Sequence, residues 1–77
     1  MRFHFILTVL LPVPEGTSYI TIEGTTTLTP GATRQTAYSN LLILLRSRHN
    51  LPPETRLNTV FFALEPNELP GVTHAVA

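Results

Sequence analysis

The chain is expected to fold as a small α+β domain in ββαβ order: a three-stranded antiparallel sheet, strand order 2-1-3, with one amphipathic helix on one face. Three observations predict this. Phe3 to Leu11 is an extended apolar run, Arg34 to His49 repeats its apolar residues at helical spacing, and Pro/Gly clusters cut the rest into strand-length pieces. With 77 residues there is room for one domain. It is placed at residues 1–65, with 66–77 expected as a flexible or loosely ordered tail.

The first strand, Phe3 to Leu11, is apolar on both sides of its pleat. Phe3, Phe5, Leu7, Val9 and Leu11 point one way, and His4, Ile6, Thr8 and Leu10 the other. Pro12-Val13-Pro14-Glu15-Gly16 reads as the turn that ends it. Ser18 to Leu28 returns as a second strand, with Tyr19, Ile20, Thr21 and Ile22 favouring extended backbone. Gly24 within it predicts a bulge or a weakened end. Thr25-Thr26-Thr27 suits an outer strand.

Thr29-Pro30-Gly31 stops that strand, and Thr33 is the best N-cap, with Thr29 before Pro30 as the alternative. At about 100° per residue, Ala37, Tyr38, Leu41, Leu42, Leu44 and Leu45 fall in one arc about 160° wide. Ile43 lies on the opposite side with Thr36, Asn40 and Ser47. Arg46, Arg48 and His49 suit the negative end of the helix dipole, and Asn50 followed by Pro52-Pro53 ends the helix. The third strand spans Leu57 to Leu64, with Phe61 and Ala63 on one face and Val60, Phe62 and Leu64 on the other. Placing it beside the first strand makes both neighbours antiparallel and puts the most apolar strand in the centre.

Composition narrows the function. Arginine and glutamate balance at five each with neither lysine nor aspartate, so no general field attracts nucleic acid or an anionic membrane. There is no cysteine, which removes disulfides and thiolate metal sites and fits a cytoplasmic location. No apolar run approaches the roughly 20 residues of a membrane-spanning helix. Arg2 followed by an apolar run resembles a signal peptide, but His4, Thr8 and the missing small-x-small site argue against one.

No catalytic signature is present, and a non-enzymatic protein is expected. His4, His49 and His74 lack metal-ligand spacing, so no metal or cofactor is expected. A carboxylate from Glu15, Glu23 or Glu65 beside His4 is the one acid–base pairing the sequence offers. Ser18, Ser39 and Ser47 have no nucleophile elbow, and no glycine-rich phosphate loop occurs. The helix start at Thr33-Arg34 is an anion-attracting arrangement, read first as a plain strand-to-helix turn.

One helix covers one face of a sheet. The uncovered face is expected to show Ile6, Leu10 and either Ile20 or Phe62, a patch of the size that marks an interface. A domain this small buries only about 60% of its unfolded surface, so association would supplement its core. The expectation is therefore a protein-interaction or regulatory module, homodimeric, that associates through this face or a strand edge, with Ile6, Leu10, Ile43 and Phe62 as interface residues. Its partner is a second copy, or a host or regulatory protein. Nucleic acid is the less favoured partner, read by an arginine strip of Arg34, Arg46, Arg48 and Arg56 formed on dimerisation.

Overall fold

The computed structural model describes residues 1–68 and has the expected element order: β1 (Arg2–Val13), β2 (Gly16–Thr27), α1 (Arg34–Arg48) and β3 (Asn58–Pro66). The three strands form one antiparallel sheet in the order β2-β1-β3, with α1 against one face.

β1 and β2 pair over their full length, from Arg2 opposite Thr27 to Val13 opposite Gly16. Only Pro14 and Glu15 remain as the loop. Pro12 lies within β1, which a proline tolerates because β3 pairs no further than Leu10 and leaves β1 a neighbour on one side only. Gly16 closes the hairpin at φ +139°, a backbone that side chains rarely adopt, and an added Cβ would meet nothing within 4 Å. Its requirement is therefore conformational. Gly16→Ala is expected to cost about 1–3 kcal/mol, read as a lowered urea midpoint with an unchanged slope.

The bulge predicted at Gly24 is absent, since β2 pairs without a register shift. Gly24 instead lies opposite Phe5, whose ring carbons sit 3.5 Å from where a Cβ would stand. The irregularity is in β3. Thr8 pairs with Phe61 and Val9 with Thr59, so Val60 is the extra residue of a bulge.

Thr29-Pro30-Gly31-Ala32 forms a turn closed by the Ala32 N–H donating to the Thr29 carbonyl at 3.0 Å, with Gly31 at φ +88°. Proline second and a positive-φ glycine third are the residues a type II turn requires. Thr33 then caps α1, its hydroxyl accepting from the Thr36 N–H at 3.1 Å. At the other end Asn50 adopts φ +53°. The Asn50 N–H donates to the Ser47 carbonyl at 3.3 Å and the Leu51 N–H to the Arg46 carbonyl at 2.9 Å. That bond pair is the Schellman stop, with Leu51 folding back against the core. Arg46 secures the following loop, donating to the carbonyls of Pro52 at 3.0 Å and Thr55 at 2.9 Å.

The core lies between α1 and the sheet: Phe5, Leu7, Val9 and Ile22 beneath Leu41 and Leu45, with Leu11 and Ala37 also buried. Every odd residue of β1 from Phe5 to Leu11 is buried, as its alternation predicts. The expected tail begins at residue 66, the last residue of β3. The Asn67 N–H donates to the Arg2 carbonyl at 3.0 Å. The rest of that expected tail, residues 69–77, lies outside the described residues.

Candidate functional site

Cross-strand pairing determines which side chains share the sheet face that α1 leaves uncovered. Along β1 these are Arg2, His4, Ile6, Thr8, Leu10 and Pro12. Ile6 sits between Glu23 and Ala63, Thr8 between Thr21 and Phe61, and Leu10 between Tyr19 and Asn58. Among them Tyr19 is 68% exposed and Phe61 53%. The face is divided. Its hairpin-proximal half is built from Leu10, Tyr19, Phe61 and Ile6, softened by the Thr8–Thr21 hydroxyl pair at 2.8 Å.

The opposite end is polar. His4 Nε2 lies 3.0 Å from Glu23 Oε2, and the Arg2 guanidinium donates to the Thr25 hydroxyl at 2.6 Å. Glu65 is the direct neighbour of His4 on β3. Of the three glutamates considered beside His4, Glu23 is thus the one that meets it. The pair stands on the open sheet surface, outside both depressions described below.

The four interface residues expected from sequence do not form one patch. Ile6 and Leu10 share the uncovered face. Phe62 does not: it pairs with Leu7 and packs under the helix, 5.2 Å from the Tyr38 ring centre. Phe61 takes its place, and Ile20, paired with Val9, also faces the helix. Ile43 is 65% exposed on α1, which packs on the other side of the sheet from Ile6. A single flat partner cannot touch both.

The arginines are dispersed as well. Arg34 stacks over Phe62, its guanidinium carbon 4.5 Å from the ring centre, and donates to the Phe62 carbonyl at 3.3 Å. Arg46 is engaged with its own loop. The two are twelve steps apart along the helix, about 18 Å at ~1.5 Å per residue. Arg48 and Arg56 are exposed.

A depression of about 630 Å³ opens beside α1 along the outer edge of β3, lined by Arg34, Gln35, Tyr38, Thr59, Val60, Phe61 and Phe62. Sequence reasoning missed it, because the bulge that turns Val60 outward carries no glycine or proline to announce it. A smaller one of about 280 Å³ lies by Met1, Arg2, Asn67 and Glu68. Among the described residues no group of three or more His, Asp or Glu side chains converges as a metal site, and no helix is long and apolar enough to cross a membrane.

The fold and these surfaces define a small α+β domain with a one-sided sheet. In comparisons with known protein families, characterised proteins and solved structures, the chain matches none.

Proposed function

We propose that the protein is a non-enzymatic interaction module that works as a homodimer, two copies meeting through the uncovered sheet faces. The observation that carries this reading is the set Ile6, Leu10, Tyr19 and Phe61 on one face with none of the described elements over it. Three strands at ~4.8 Å spacing and eleven rows at ~3.3 Å give a face of about 500 Å² in projection. The apolar part of it lies below the roughly 600 Å² per partner of the smallest stable interfaces, which favours a weak, reversible dimer over an obligate one.

The polar end helps to set the arrangement. In a two-fold packing the Leu10–Tyr19–Phe61 halves overlap and the Arg2, His4, Glu23 and Glu65 ends remain at the rim, where charges retain water. The β2 edge is a secondary route. It runs twelve residues without proline, lysine or bulge, and so offers its outer N–H and C=O groups to an added strand. The lack of cysteine supports a cytoplasmic setting.

Light scattering during size exclusion tests the reading: a mass that rises from one chain to two across the micromolar range is expected. A constant monomer mass up to millimolar protein would overturn it.

A further inference from the structure

We propose that the depression between α1 and β3 binds a short extended segment of a partner protein in which a bulky apolar side chain stands next to a carboxylate. This site lies at the outer edge of β3, shares Phe61 with the uncovered sheet face, and concerns a different partner. Four observations converge on it. The recess has the volume of a ligand site. Val60 and Phe61 stand at its rim about half exposed, at 52% and 53%, although both are large and apolar. Among the described residues β3 is an edge strand, with no strand beside its outer backbone groups. The fourth is Arg34.

Arg34 is held in place by its stack on Phe62 and its bond to the Phe62 carbonyl. A guanidinium has five N–H donors, and this contact uses one. The described residues form one ion pair, His4 with Glu23, and none of them sets a carboxylate against Arg34. A pre-positioned cation at the edge of an apolar recess is complementary to an acidic residue flanked by an apolar one. Tyr38 and Thr59 are occupied with each other through their hydroxyls. That leaves Arg34 and Gln35 as the polar contacts that select the ligand.

The bulge explains why the segment is short. Bulges re-aim side chains and interrupt pairing at an edge. At Val60 the bulge presents an apolar side chain to the recess while stopping a long strand from zipping along β3. An entering chain is thus held by one apolar anchor and one charge.

A fluorescein-labelled peptide of about eight residues, one Phe flanked by two Glu in a Gly/Ser background, is expected to bind with a dissociation constant of roughly 100 μM. Amide shifts should map to Arg34, Gln35, Val60 and Phe61. Arg34→Gln is expected to weaken it about five-fold, with folding checked by circular dichroism. A peptide with Gln for Glu should bind that much more weakly and be indifferent to Arg34→Gln, the signature of a direct pair.

The Ile6→Glu variant should bind the peptide normally, which separates this site from the dimer. Failure of the Glu peptide to bind by about 1 mM, or equal binding of the Glu and Gln peptides to the unmodified protein, would overturn the proposal. So would movement of the Arg34, Gln35 and Val60 amides on simple dilution of the Ile6→Glu variant, which would make a second copy the occupant.

Discussion

Leu7→Ala is expected to remove about 3 kcal/mol of stability, within the range of about 2–5 for a buried leucine that leaves a void. Leu7 is fully buried on the central strand, between Ile22 and Phe62 and beneath Leu41 and Leu45. Nothing from solvent can fill the space it vacates, and the strand on each side holds the walls in place. A domain of this length has a total stability of about 4–12 kcal/mol, so a loss of that size unfolds a substantial fraction of molecules on warming. Urea titration followed by circular dichroism reads it as a fall in midpoint of about 2 M or more at constant slope. Ile43→Ala is the control, expected within about 0.5 kcal/mol of the unmodified chain because Ile43 faces outward from the helix. A loss from Ile43→Ala as large as that from Leu7→Ala would show that the helix packs with a different side down.

Ile6→Glu is expected to abolish association while leaving the fold intact. Ile6 is central to the uncovered face, with Glu23 and Ala63 as its direct neighbours. In the dimer the new carboxylate would be desolvated twice over, once from each copy, close to an existing acidic side chain. An unpaired buried carboxylate costs several kcal/mol, and about 3 kcal/mol corresponds to a dissociation constant raised roughly a hundredfold. The monomer carries the substitution at a partly buried position on the open face, where the carboxylate can reach water, so its circular dichroism should be unchanged. Light scattering should then report one chain at concentrations where the unmodified protein forms two. Ile43→Glu, on the opposite side of the molecule, should leave the dimer intact. Reversed behaviour, with Ile43→Glu dissociating the dimer and Ile6→Glu not, would move the interface from the sheet to the helix.

Much of this architecture is legible in the residues. The alternation of Phe5, Leu7, Val9 and Leu11 identifies the buried side of β1, and the spacing of Ala37, Leu41 and Leu45 identifies the contact line of α1. Thr33 reads correctly as the cap because its chemistry is local. β3 is harder. Alternation shows that Phe61 and Phe62 face opposite ways, but the loop from Asn50 to Leu57 determines which of them faces the helix. That loop's length and path are tertiary matters: Arg46 gathers the carbonyls of Pro52 and Thr55, a contact no periodicity reveals. The uncovered face is therefore anticipated in kind, with Phe61 and Tyr19 in place of Phe62. The recess beside Arg34 is not anticipated, since it arises from the unpaired Val60.

That unpaired residue has a further consequence for how the gene can vary. Excising the codon for Val60 would join Thr59 to Phe61, leaving Val9 opposite the one and Thr8 opposite the other as before. Every inside and outside assignment along the strand would survive. Loss of Thr59 or Phe61 would be absorbed in the same way, with Val60 moving into the vacated ladder position, whereas loss of a codon further along the strand would turn the stretch between it and the bulge to the other face. Length change in this strand is thus tolerable around the bulge, and the shortened molecule would keep its core while forfeiting the ledge beside Arg34.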